Sequence, residues 1–149
     1  MWDYPRPPRL VSDPREVVVR WGTVEVARTR RSIRVLETAH PPSFYLPWRD
    51  VARHLFHEAP GSSFCEWKGP ARYWSLIDAG RTLPSVAWSY PTPLAGSEPL
   101  AECVALYAAP LDCRVDGAPV TPQPGGFYGG WITPELCGPF KGEPGSGGW

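Results

Sequence analysis

The sequence predicts a mainly β domain: a small twisted antiparallel sheet curling into an open barrel or a two-layer β structure, with one short helix near 48–57. Two observations carry this reading. Twenty prolines and fifteen glycines in 149 residues are a large excess over ordinary usage, and both residues break helix interiors. The apolar residues fall in short, β-branched runs separated by Gly, Pro and Ser turns, the pattern of strands and hairpins. A chain of this length is long enough for one domain with a real core.

Taken in order, residues 1–15 read as a proline-rich extended arm. Glu16-Val17-Val18-Val19-Arg20-Trp21 meets Gly22-Thr23 and continues as Val24-Glu25-Val26-Ala27-Arg28, a hairpin around a glycine turn. Ile33-Arg34-Val35-Leu36-Glu37 alternates, so Ile33, Val35 and Glu37 share a face and the carboxylate of Glu37 needs a partner there. Phe44-Tyr45-Leu46 is a further short strand. Pro47 opens the expected helix 48–57, with Val51 and Leu55 inward at i,i+4 spacing, and Pro60-Gly61-Ser62-Ser63 closes it.

Strands are then expected at Phe64–Lys68, Arg72–Asp78 and Val86–Tyr90, followed by the apolar run Cys103-Val104-Ala105-Leu106-Tyr107 and a turn at Val115-Asp116-Gly117. The β domain accordingly spans 16–108, with residues 109–149 as a tail. Residues 118–149 hold nine of the fifteen glycines and six prolines, too little for a second core. The anchors Phe127, Tyr128, Trp131, Phe140 and Trp149 predict a tail packed on the domain, since disordered linkers are poor in aromatics.

Composition narrows the partners. Net charge is zero, spread as a mildly basic stretch over residues 1–34, a nearly neutral one over 35–99 and an acidic one over 100–149, with no concentrated basic stripe; nucleic acid is not an expected partner. Phosphate contact through Arg20, Arg28, Arg30, Arg31 and Arg34 is a third function that the basic N-terminal stretch offers. No stretch approaches the roughly 18 apolar residues of a membrane span, and the N-terminus has no secretory pattern. The expectation is a cytoplasmic protein that keeps off membranes. The cysteines at 65, 103, 113 and 137 form no Cys-x-x-Cys pair, and His54-x-x-His57 with Cys65 is a poor metal set, so neither metal nor cofactor is expected.

Two runs carry the chemistry: Phe64-Cys65-Glu66-Trp67-Lys68-Gly69 and Trp88-Ser89-Tyr90-Pro91. Of fifteen basic residues only Lys68 and Lys141 are lysine. An otherwise arginine-using chain keeps lysine where a compact, titratable charge is required. The order of these runs, together with Leu36-Glu37, Phe44-Tyr45-Leu46-Pro47 and Ala71-x-Tyr73, resembles the bacterial domain of unknown function family 427 over about residues 16–108. The tail, with Phe127-Tyr128-Gly129-Gly130-Trp131 and Gly138-Pro139-Phe140-Lys141-Gly142, is similar to the extension of actinobacterial members. The resemblance implies a small, mostly β domain without an agreed activity but with a nucleotidyltransferase-like label. The chain has neither a Gly-Ser pair leading to Asp-x-Asp nor a P-loop to support that label.

The candidate site is therefore read from the residues. Cys65 and Lys68 lie three apart, on opposite faces of a strand unless it ends between them, which Gly69-Pro70 favours. Lys68, Glu37 and Cys65 are the candidate catalytic groups: an amine that lowers a neighbouring thiol's pKa, or an amine paired with a carboxylate. Each also has a structural reading, as a buried small hydrophobe, a lysine stem over Trp67, or a strand-end ion pair. Tyr45, Lys68, Trp88, Tyr90 and Glu37 are the candidate ligand contacts, because Trp88 and Tyr90 share a strand face and can wall a pocket. Core filling is the competing role for most of the eight tryptophans.

Two main functions result. The first is binding of a small polar or anionic ligand in an aromatic-lined pocket, with catalysis left open. The second is a non-catalytic interaction module whose aromatic C-terminal tail recruits a protein or a second copy of the chain, as a homodimer. Nucleotidyltransferase-like activity comes only from the family label.

Overall fold

The computed structural model describes residues 9–37, 40–124 and 129–136. Its strands are β1 (Arg9–Asp13), β2 (Val17–Trp21), β3 (Val24–Thr29), β4 (Ser32–Leu36), β5 (Ser43–Pro47), β6 (Phe56–Cys65), β7 (Gly69–Asp78), β8 (Arg81–Ser89), β9 (Cys103–Leu106), β10 (Asp112–Val115), β11 (Ala118–Pro119), β12 (Thr121–Pro122) and β13 (Trp131–Ile132). They form a seven-stranded sheet in the order β1-β4-β5-β9-β8-β7-β6, a four-stranded sheet β11-β10-β2-β3, and the ribbon β12-β13. Every strand pairing is antiparallel. The architecture is an open two-layer β structure, with β1 and β6 left as edges of the large sheet.

The main core lies between the two sheets. Val17, Val19 and Trp21 of β2, Val26 of β3 and Val115 of β10 meet Phe44 and Leu46 of β5, Trp74 and Leu76 of β7, and Val104 and Leu106 of β9. Period-two alternation sends the residues between them to the other face of the large sheet, where Val35, Tyr45, Ala71, Trp88, Tyr90, Cys103 and Ala105 gather in a second cluster. That second cluster is where the site is built.

The expected helix 48–57 is not formed. Short 3-10 turns at Trp48–Asp50 and Arg53–Leu55 flank an extended Val51, and β6 begins at Phe56. Val51 bridges Ala27 of β3, and the Ala52 N–H donates to Val26 O at 2.8 Å. The guanidinium of Arg53 lies 4.7 and 4.6 Å from the ring centroids of Trp48 and Trp74. A strand edge and a cation–π stack thus outcompete an i,i+4 pattern resting on two apolar residues. Pro60 and Gly61 lie within β6, absorbed by a bulge between Ala59 and Ser62; an edge strand tolerates a proline that a central one does not.

The first described strand and the segments after β9 are tied into this framework. β1 pairs with β4 and β10 pairs with β2. Beyond β12, the Trp131 N–H donates to Pro42 O at 2.8 Å. Its indole is fully buried, stacks on Phe44 at 5.1 Å and donates from Nε1 to Leu106 O at 2.9 Å. Phe127, Tyr128, Phe140 and Trp149, the other expected anchors, lie outside the described residues.

Asp13 is buried at the end of β1, bonded to Arg15 Nη2 at 2.7 Å and beside Arg34 Nε at 3.0 Å, while Arg15 also reaches Glu135 at 2.9 Å. Burial pushes the Asp13 carboxyl up, but hydrogen bonds from Arg15 and the two guanidinium charges outweigh it and leave the group below its ordinary 3.8. A carboxylate lowered on folding stabilises fully above its unfolded pKa, and that contribution is lost as pH falls below about 4. Wild type is therefore expected to lose more stability than Asp13→Asn between pH 4 and pH 2, read as urea midpoints; parallel acid limbs would contradict this assignment.

Candidate functional site

The site grows from one cross-strand row. Ile33 pairs with Tyr45, Tyr45 with Ala105, Ala105 with Trp88, and Trp88 with Tyr73. Ala105 is the small member between two large rings. Over that gap the Trp88 Nε1–H donates to the Tyr45 hydroxyl at 3.0 Å, with the rings edge to face at 6.3 Å. Tyr90, two residues on from Trp88, lies 6.2 Å from Tyr45, and Tyr107 lies 4.8 Å from Trp88. Burial, reinforced by Tyr90, pushes the Tyr45 phenol well above its usual range, and burial pushes Tyr90 the same way. Both phenols stay neutral near pH 7.

Lys68 arrives from the hairpin tip. β6 ends at Cys65, β7 begins at Gly69, and Cys65 pairs with Gly69. Lys68 thus occupies the turn, not a strand, and the parity that separates i from i+3 does not apply to it. Gly69 has φ +103°, and a Cβ there would come within 3.3 Å of Thr92 O and of Leu94 N and Cγ; only glycine fits. The tip is pinned by Leu94 N–H donating to Lys68 O at 3.0 Å and by the Ser97 hydroxyl donating to Trp67 O at 3.2 Å.

The Lys68 ammonium donates to Glu37 Oε1 at 2.7 Å and lies 5.8 Å from the Tyr90 ring centroid. Its side chain is 8% exposed against 29% for Glu37. The carboxylate is therefore the partner with access to water. Glu37 follows β4 in the register of Ile33 and Val35, on the face where the alternation puts it. The ammonium thus faces the Tyr90 ring, while Trp67 is 44% exposed.

Glu37, Tyr45, Cys65, Lys68, Trp88 and Tyr90 all line one cleft of about 410 Å³. It also takes in residues the sequence reading did not single out for the site: His40, Ser63, Tyr73, Tyr107, Gln123 and Gly129 among them. Parity carried a signal for Tyr73 and Tyr107, which share faces with Ala71 and Ala105; nothing local marked Gln123. The Tyr73 and Ser63 hydroxyls share a hydrogen bond of 2.7 Å. Gln123 reaches His40 Nδ1 at 3.2 Å and accepts from the Gly130 N–H at 3.0 Å. A second cavity of about 340 Å³ shares Tyr107, Gln123 and Gly129 with the first, but its lining is mostly Pro, Ala and Val. The titratable groups are concentrated in the larger cleft.

Other candidate groups lie elsewhere. His54 and His57 are exposed, one in a 3-10 turn and one in β6, so no helix face presents them together. Among the described residues no three His, Cys, Asp or Glu side chains gather as a metal set. Burial pushes the Cys103 thiol up to about 11 and Cys113 up to about 12, which disfavours the thiolate that would react. Arg20, Arg28, Arg30, Arg31 and Arg34 each lie within 4 Å of a carboxylate, from Glu25, Glu16, Asp50 or Asp13. Among the described residues no helix is long and apolar enough to cross a membrane.

Fold and cleft together define an open, two-layer antiparallel β domain with an aromatic-walled cleft on the outer face of its large sheet. The chain belongs to the family described as domain of unknown function (DUF427), whose model, NTP_transf_9, matches residues 9–117. No curated protein matches the chain.

Proposed function

We propose that the cleft binds a small polar or anionic ligand, with the Lys68–Glu37 pair as its polar anchor and Tyr45, Trp88 and Tyr90 as its wall. The observation that supports this reading is a lysine, 8% exposed and paired at 2.7 Å, opening on a cleft of about 410 Å³. A buried ion pair is often no more stabilising than apolar residues of the same size, since both charges lose water. Such a pair on a cleft wall suits recognition better than stability.

The two partners differ in exposure. Glu37 is the more exposed, so an acidic oxygen of the ligand can approach the Lys68 ammonium from the water side while the carboxylate keeps its hydrogen bond. The neutral phenols offer hydrogen bonds, and the aromatic faces bury the ligand's flat or apolar part. Lys68, Glu37 and Cys65 are the groups with chemistry to offer a bound molecule. The free thiols of Cys65, Cys103 and Cys113 suit a reducing compartment, in keeping with a cytoplasmic protein; the actinobacterial type rests on the resemblance of the tail alone. The nucleotidyltransferase wording of the family name corresponds to no residue of this cleft.

The test is a thermal-shift screen of small carboxylates, phosphates and sugars on wild type beside Lys68→Ala and Trp88→Ala. A hit that raises the wild-type Tm and is lost in both variants is expected; hits unaffected by both variants would dismiss the cleft.

A second reading has its own observation. Phe64 at 68%, Trp67 at 44% and Leu94 at 37% exposed surround the β6–β7 tip, an apolar surface suited to a protein partner or a second copy. Trp131 cannot serve that role, since it is fully buried. Light scattering on wild type and Phe64→Ser/Trp67→Ser separates the cases: a larger species lost in the variant supports self-association, and a monomer in both removes it.

A further inference from the structure

We infer that Lys68 captures a carbonyl group of its ligand as a reversible imine, with Glu37 carrying the protons; this deepens the ligand-binding reading and rests on it. Both sequence and geometry bear on the choice. Thirteen of the chain's fifteen basic residues are arginine, and a guanidinium would pair with Glu37 at least as well, bidentately and always charged. What arginine cannot do is give up its proton and attack carbon. A primary amine can, and Lys68 is nearly buried on a cleft wall with a carboxylate at 2.7 Å. Burial among aromatic rings is the setting in which lysine acts as a nucleophile toward carbonyl compounds.

The step balances without any further reagent. One proton moves from the Lys68 ammonium along the 2.7 Å hydrogen bond to Glu37, leaving a neutral amine and a carboxylic acid. The Nζ lone pair forms a bond to the carbonyl carbon, the C=O π pair moves to oxygen, and protonation of that oxygen by Glu37 gives a carbinolamine. The nitrogen gives up a proton to the Glu37 carboxylate, which returns it to the hydroxyl, and water leaves as the nitrogen lone pair forms C=N. The resulting iminium carries the positive charge that the ammonium brought, beside an ionised Glu37. The implied ligands are small aldehydes and ketones. A 2-oxo acid would combine the carbonyl with the acidic oxygen the cleft is expected to favour.

The experiment incubates the full chain separately with pyruvate, glyoxylate and benzaldehyde in the presence of cyanoborohydride, then reads intact mass and peptide maps. The expected result is one reduced adduct per chain with at least one probe, on Lys68, at a rate at least about tenfold above Lys141 or the N-terminal amine, as positioning in a cleft provides. Lys68→Arg, which keeps the charge, is expected to give no cleft adduct. Glu37→Gln is expected to slow trapping by about a hundredfold, the lower end for a positioned acid–base group. Equal labelling of Lys141 and Lys68, labelling that persists in Lys68→Arg, or no adduct with any probe overturns the imine. A thermal-shift hit that still depends on Lys68 and Trp88 then leaves ligand binding standing, and loss of that dependence as well removes both.

Discussion

Trp131→Ala is expected to cost about 3–5 kcal/mol of folding stability, the range for emptying a tryptophan site in a packed core. The indole is fully buried, stacked on Phe44 at 5.1 Å and bonded to the Leu106 carbonyl at 2.9 Å. Truncation removes the stack, opens a cavity between the sheets and leaves that carbonyl short of a donor. Trp131 lies beyond residues 9–117, the stretch matched by the family model, yet it fills the core of that stretch. Chains ending after residue 117 are expected to show a similar loss, and Trp131→Phe a smaller one. Urea denaturation measures all three. A loss under about 1 kcal/mol for Trp131→Ala, typical of a surface site, would mean that the tail lies on the domain without completing it.

Gly129→Ala is expected to damage stability and cleft together. A Cβ at residue 129 would lie 2.0 Å from Trp88 Cη2 and under 3.0 Å from two more atoms of the same ring. The indole cannot yield freely: its Nε1–H is committed to Tyr45 and its ring packs on Tyr107. Either the chain at 129 lifts away, or Trp88 swings into the cleft. The expected cost is toward the upper end of the roughly 1–3 kcal/mol for overpacking, with loss of any Trp88-dependent ligand. Trp88→Phe should relieve the clash, so the double variant is expected to be more stable than the sum of the two single effects. Strict additivity of the two changes would contradict the contact.

How much of this was legible follows from the range of each interaction. Period-two alternation placed Glu37 with Ile33 and Val35, and Trp88 with Tyr90, because parity is local and the sheet honours it. The glycine after Lys68 signalled a break in the chain direction, but the strand expected over Phe64–Lys68 already ends at Cys65 and Gly69 opens β7; Lys68 therefore sits in the turn and lines one cleft with Cys65. The helix at 48–57 rested on Pro47 and Pro60 as end signals and on Val51 and Leu55 as its whole apolar face, and lost to the backbone of β3 and to the stack of Arg53 between two tryptophans, both non-local. The insertion of β9 between β5 and β8 could not be read from any window of sequence. Yet that order sets Ala105 between Tyr45 and Trp88 and so creates their hydrogen bond. Gln123 and Gly129 entered the cleft by the same route, carried there by the packing of Trp131.

The most direct test of the central claim follows the indole N–H resonances while the strongest thermal-shift hit is titrated into labelled protein. Trp88 is the described tryptophan that lines the cleft, whereas Trp21, Trp74 and Trp131 belong to the core between the sheets. Ligand binding beside Lys68 predicts a saturable shift of the Trp88 signal, assigned by its loss in Trp88→Phe, with Trp21, Trp74 and Trp131 nearly still and no shift in Lys68→Ala. Shifts confined to the core indoles, or a Trp88 response undiminished in Lys68→Ala, would contradict the account.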